Sequence, residues 1–172
     1  QSDKALQYAS SLFKEVEAIE SIKIDIAHPG LSILLQTKKI AAQNNRIKMD
    51  IVISPVSFDC IKTTDLIIIL SNLIDNAMDA TMELPEGERS ILIECSSNNT
   101  HYVFIVTNTG TEICDKELIF KQGHSTKKEE QGKIRGQGLF IVKEVVNGYN
   151  GNISIESSAD LKTTAIVEIP LN

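Results

Sequence analysis

The stretch that most constrains this chain is residues 66–80, LIIILSNLIDNAMDA. It holds neither Pro nor Gly and is apolar around most of a helical circumference, so it specifies a buried helix. The exceptions fall together. At 100° per residue, Asn72, Asp75, Asn76 and Asp79 lie within an arc of about 100°. A solvated stripe would normally carry Lys and Glu, which favour helices. Asn and Asp are poorer helix formers and persist in mid-helix where their side chains are needed. An amide and a carboxylate on one face suit a hydrated Mg²⁺, which takes oxygen ligands and keeps several waters. The helix alone leaves a plain solvated face as the alternative.

A second stretch, Gly136-Gln137-Gly138-Leu139, opens another apolar helical run that reaches about Asn147. Glycines at a helix start let backbone N–H groups approach a phosphate, and the helix dipole favours the anion. They also serve ordinary tight turns. GxGxxG is not completed, the preceding segment is polar loop, and GxxxxGK[ST] occurs nowhere, so neither the Rossmann fingerprint nor the P-loop applies. Before it runs a polar segment, residues 124–135, with Thr126, Lys127, Lys128, Lys133 and Arg135 around Glu129 and Glu130. Such a run is ordinarily a solvated loop. Because this one enters the phosphate-binding candidate, it reads as a lid bringing cations onto an anion. The last stretch, Asn108-Thr109-Gly110-Thr111-Glu112-Ile113, leaves the end of a strand, as a plain turn or as a polar edge for a purine.

Around these the chain organises simply. Residues 1–22 lack Pro and Gly, and Leu6, Ala9, Phe13 and Val16 recur at three- and four-residue steps, the seam of a helix packing on a partner helix or on its own domain. His28-Pro29-Gly30 breaks the chain, and a helix is predicted over residues 31–44 with Leu31, Leu34, Leu35, Lys38 and Ala42 on one side. Residues 49–53 alternate as a strand before Pro55, and Thr64 is the expected N-cap of the long helix that ends at Thr81. Residues 91–95 and 102–107 form a hairpin, and residues 153–156 and 165–171 complete the sheet. Irregular alternation with hairpin-like strands predicts a two-layer α/β (α+β) sandwich with a mixed, mostly antiparallel sheet, not a doubly wound fold.

Composition sets outer limits. At 172 residues, 42% hydrophobic and net charge −6, the chain can bury a real core, and its acidity argues against a nucleic-acid partner. Cys60, Cys95 and Cys114 show no metal-ligand spacing and read as reduced thiols of a cytosolic domain. No apolar run approaches the ~20 residues of a membrane span. A start on Gln1 without a signal peptide suggests a piece excised from a longer protein.

In order and spacing, the four stretches resemble the GHKL superfamily of gyrase, Hsp90, histidine kinases and MutL, with its Bergerat ATP-binding fold. Residues 72–80 look like the N box, 108–113 the G1 box, 119–127 the F box and 136–139 the G2 box. The resemblance covers residues 31–172. It is greatest to sensor kinases of the Agr quorum-sensing and citrate/dicarboxylate-sensing types, whose connection into the catalytic domain residues 29–47 resemble, and the Agr type is the preferred subfamily. It implies a sheet covered by helices on one face, with residues 1–28 the end of a dimerisation or linker helix and 29–172 the catalytic domain. The whole would be the cytoplasmic part of a bacterial membrane receptor, a homodimer in full length, that passes phosphate to a response regulator.

The resemblance also implies roles. Asn76 would coordinate the Mg²⁺ that bridges the triphosphate of ATP, with Asn72 one turn earlier and Asp79 on the same face. Asn108 would contact the adenine amino group, with Gly110 and Ile113 beside it. Gly136, Gln137, Gly138 and Leu139 would wrap the phosphates, and Thr126, Lys127 and Arg135 would approach them from the lid. Asn108 stands where Asp is usual and Glu112 where a glycine is usual. A neutral acceptor is weaker than a carboxylate, so modest ATP affinity is expected. Related ATPases carry a glutamate at position 72 as base. Asn72 cannot act so, which favours transfer to histidine over hydrolysis. His28, His101 and His124 are the only histidines. None is on a long amphipathic helix, so the phosphoacceptor is expected elsewhere. A non-catalytic nucleotide-binding scaffold and, further off, a gyrase-like ATPase are the other readings.

Overall fold

The computed structural model describes residues 28–110, 120, 137–158 and 162–171. The helix expected over residues 1–22 and the basic segment 124–135 lie outside these.

Helix α1 spans Pro29–Asn44 and buries Leu31, Leu35 and Ala42. The sequence reading placed a break at Pro29-Gly30, but both residues lie inside the first turn. Proline suits that position, because its fixed φ is helical and its missing N–H has no helical partner there. His28 is the N-cap, its Nδ1 accepting from the Leu31 amide at 3.2 Å. The far end closes through Ile47 N–H to Ala42 O (2.9 Å) and Arg46 N–H to Gln43 O (3.0 Å), with Arg46 left-handed at φ 54°.

Helix α2, Thr63–Thr81, is the long buried helix expected, with Leu66, Ile69, Leu70, Leu73, Ile74 and Ala77 in the core. Its N-cap is Lys62, without a side-chain cap bond, and not Thr64. The start is anchored from outside instead. Tyr149 Oη accepts from the Lys62 amide (3.1 Å) and donates to Asp65 Oδ2 (2.6 Å), so no hydroxyl at position 64 is needed.

The strands are β1 (Lys48–Ile53), β2 (Ser90–Ser97), β3 (His101–Thr109), β4 (Asn152–Ser158) and β5 (Lys162–Pro170). Their order in the sheet is β1-β2-β3-β5-β4, with β1 parallel to β2 and every other pair antiparallel. The predicted β2–β3 hairpin forms, and Asn98 Oδ1 pins its turn by accepting from the Thr100 and His101 amides. Helix α3, Gly138–Gly148, follows the segment outside the described residues. Burial alternates strictly along β2, β3 and β5. Ile91, Ile93, Phe104, Val106, Val167 and Ile169 face the helices, and Leu92, Ile105 and Ile166 are half-buried on the other face. The result is a mixed sheet with its helices on one side, the two-layer sandwich that the element order predicts.

Candidate functional site

The polar stripe of α2 keeps its arc in the fold. Asp75 and Asp79 are exposed, while Asn72 and Asn76 are half-buried between the ends of neighbouring elements. Asn72 Nδ2 donates to Ile68 O at 2.8 Å, which fixes the amide and leaves Oδ1 pointing outward from that bond. Asn76 Nδ2 is buried and has no hydrogen-bond partner among the described residues. A buried amide donor without a partner carries a desolvation cost of about 1–3 kcal/mol, which an anionic ligand oxygen would remove.

The start of α3 meets this stripe. A Cβ placed on Gly138 would stand 2.9 Å from Asn72 Oδ1, so only glycine allows the two to sit this close. Gln137 occupies the N-cap position in a helical conformation and makes no side-chain cap bond. Among the described residues the first amides of α3 thus have no side-chain cap beside the Asn72 amide, which is the electrostatic setting that favours a bound anion. The predicted helix start at Gly136 shifts to Gly138, and Leu139 lies half-buried in the first turn.

A second corner forms where β3 ends. Asn108 is buried at 5% exposure, and its Nδ2 donates to Thr109 O at 2.9 Å, leaving the amide oxygen as the acceptor end. Gly110 follows, and a Cβ there would meet Asn108 Nδ2 at 3.1 Å and the Ala80 Cβ at 3.4 Å. The chain leaving β3 is thus pressed onto the last turn of α2. Thr81 Oγ1 locks this contact by donating to Thr109 O. Thr163 of β5 lies directly across from Asn108 in the sheet register and is buried.

So the fold brings Asn72 to Gly138 at one end of the stripe, and the last turn of the same helix, at Ala80 and Thr81, to Thr109 and Gly110 beside Asn108 at the other, with Asn76 and Asp79 on the helix between them. Ile113, Thr126, Lys127, Arg135 and Gly136 lie outside the described residues. Sequence reasoning missed Thr81, Thr163 and the use of Lys38. Thr81 could have been suspected as a polar residue at the end of an apolar helix. Thr163 is visible only once β5 is paired with β3. Tyr149, which ties α3 to the start of α2, has its hydroxyl pKa raised by burial first and then by its hydrogen bond to Asp65.

A mixed sheet with helices on one face, an amide-bearing helix across it and an uncapped glycine helix start beside the amides define an α/β nucleotide-binding class. The model of the GHKL domain matches residues 61–170, and the chain belongs to that family. A relative from Halalkalibacterium halodurans, named a probable C4-dicarboxylate sensor kinase, is 28% identical over 97% of this chain and 32% of its own length. The sensor histidine kinase DcuS of Escherichia coli K12 is 36% identical over 61% of this chain and 19% of its own. The chain thus spans about a third or less of the curated relatives it matches. The catalytic domain of histidine kinase ThkA aligns over 86% of this chain and 96% of its own, with 25% identity and a TM-score of 0.65. Full-length ShkA in complex with AMPPNP shares the fold, with a TM-score of 0.66 over 88% of this chain and 33% of its own, at 20% identity. The fold is that of histidine kinase catalytic domains, and the family is that of the GHKL domain. Of the two subfamilies that the sequence resembles, the Halalkalibacterium relative carries the dicarboxylate name and not that of the preferred Agr type.

Proposed function

We propose that this chain is the ATP-binding catalytic domain of a sensor histidine kinase, which delivers the γ-phosphate of ATP to a histidine on a dimerisation helix for relay to a response regulator. The single observation carrying this reading is the apposition of Gly138 to Asn72, which sets the α2 amides against the uncapped start of α3. The residues fit a magnesium-bound triphosphate. Asn76 brings an amide whose buried donor, unpartnered among the described residues, would be answered by a phosphate oxygen, while its amide oxygen is the ligand type that magnesium takes. Magnesium bound there would neutralise charge on the phosphates.

The chain's own groups then divide the work. Asn72 and Asn76 hold the phosphate end, the α3 amides neutralise and orient it, and Asn108 with Gly110 offers a neutral acceptor to the base. Lys127 and Arg135 are assigned to the phosphates from the sequence alone. With Asn72 in place of a basic carboxylate, the site positions ATP without activating water, as transfer to a histidine nitrogen requires. We read residues 1–28 as linker and 29–172 as the catalytic domain, facing the cytoplasm beneath a membrane receptor that dimerises through helices.

Thermal denaturation with and without Mg-ATP tests the site. Ligand at about 100 times Kd should add about 2.7 kcal/mol to the native state, and Asn76→Ala should abolish the gain. Adding the dimerisation helices should then yield acid-labile phosphohistidine. An intact chain indifferent to millimolar Mg-ATP would defeat the proposal.

A further inference from the structure

The proposed site has to hold a polyanion, yet its helix face carries carboxylates. Asp75 is three residues from Asn72 and adjacent to Asn76, so its charge stands within one turn of both amides. Unanswered, it would repel the triphosphate. The answer comes from α1. Lys38 Nζ lies 2.6 Å from Asp75 Oδ1, and Ser71 Oγ donates weakly to the other oxygen at 3.4 Å.

This pair differs from the two others among the described residues. Arg46–Glu86 and Lys48–Asp50 join side chains that are all more than half exposed. The Lys38 side chain is only 16% exposed against 56% for Asp75. Its methylene stem is therefore largely covered while the ammonium emerges at the carboxylate, an arrangement that holds one orientation. On α1, the neighbouring turns are fixed by the buried Leu31, Leu35 and Ala42. The His28 cap and the close packing of Gly30 on Thr63 seat the helix start against α2.

The geometry points to Lys38 as a positioning residue of the nucleotide site. It neutralises and holds Asp75, the carboxylate between the two amides, so that this charge does not repel a bound triphosphate. This rests on the nucleotide-site reading proposed above. A bare carboxylate one helical turn from a phosphate costs on the order of threefold to thirtyfold in affinity at the effective dielectrics of a protein surface. That cost is electrostatic, and it shrinks as salt shortens the Debye length from about 10 Å at 0.1 M to about 3 Å at 1 M.

Opposite signs from the two partners make the test decisive. Mg-ATP titration calorimetry would be run on the wild type, Lys38→Met, Asp75→Asn and the double variant, with melting of each unliganded protein as the folding control. Methionine keeps the stem and removes the charge. Lys38→Met should weaken binding about tenfold at 0.1 M salt, with the deficit falling below about threefold at 1 M. Asp75→Asn should bind as tightly as wild type or tighter, and the double variant should return to within about twofold of wild type. Should Lys38→Met not fold, Lys38→Arg must match wild type and Asp75→Asn must bind no more weakly. Equal losses from both single variants, or a Lys38→Met deficit insensitive to salt, would overturn the assignment. A wild type that binds no Mg-ATP overturns the site itself, a result distinguishable from the rest.

Discussion

Gly138 concentrates two opposed demands on one residue. As the first residue of a helix, it would ordinarily gain up to about 1 kcal/mol from replacement by alanine, through helix propensity and a less flexible unfolded chain. The methyl group, however, would stand 2.9 Å from Asn72 Oδ1, and the Asn72 amide is held by its bond to Ile68 O. Moving it forfeits a hydrogen bond worth about 1 kcal/mol. Gly138→Ala should therefore leave the melting temperature nearly unchanged, within about 3 °C, while weakening Mg-ATP binding at least about tenfold. Melting curves with and without nucleotide separate the two effects. A variant that binds normally would show that the Gly138–Asn72 contact is packing alone. The amide stripe was legible in sequence because helical periodicity carries residues 72–79 onto one face without any knowledge of their surroundings. The partner of Asp75 was not, since Lys38 lies 37 positions away and no local rule joins them.

The elements themselves were readable to within a few residues, and the misplacements share a cause: an end settled by something distant or by backbone geometry. Thr64 looked like a cap, but Tyr149, far along the chain, anchors that end through Lys62 and Asp65. Pro29-Gly30 looked like a break because a helix-breaking pair also satisfies the first turn of a helix. At the other end of α1, the helix stops at Asn44 as predicted, but nothing in the sequence marked Arg46 to carry the left-handed turn at φ 54°. A branched or long side chain there costs roughly 1 kcal/mol relative to glycine. The ion pair of Arg46 with Glu86 is exposed on both sides and offsets little of that. Arg46→Gly should thus raise stability by about 0.5–1 kcal/mol and the melting temperature by about 2–4 °C, measured by thermal unfolding without ligand. A lower melting temperature would mean that the ion pair outweighs the backbone strain.

At the scale of the whole molecule, what could not be read was the strand order. The sequence marks five strands and one hairpin, but only tertiary packing sets β1 parallel beside β2 and inserts β5 between β3 and β4. That order decides which groups end up deepest. Cys95, facing the helices from β2, is buried at 1% exposure, and its thiol pKa is pushed from 9.0 to about 12, by desolvation first and by the charge of Glu94 second. Tyr102 and Tyr149 are shifted upward from 10.0 as well, each chiefly by burial. All three raise the pKa of an acid that is neutral when protonated, so the sign is common to them. The unfolded chain releases these protons first, from about pH 9 for the thiol and pH 10 for the phenols, while the folded chain still holds them. Their stabilisation is complete below pH 9 and is withdrawn as pH climbs, up to about 12 for the thiol, by up to about 1.4 kcal/mol per pH unit for each group caught between its two values. Urea unfolding at pH 7.5, 9.5 and 10.5 should show wild-type stability falling steeply over the last two points. Cys95→Ala starts lower, because it leaves a small cavity, but should fall about 1 kcal/mol per pH unit less steeply. Parallel slopes for the two proteins would mean that the thiol ionises in the folded state as readily as in the unfolded, and that the core around β2 admits water.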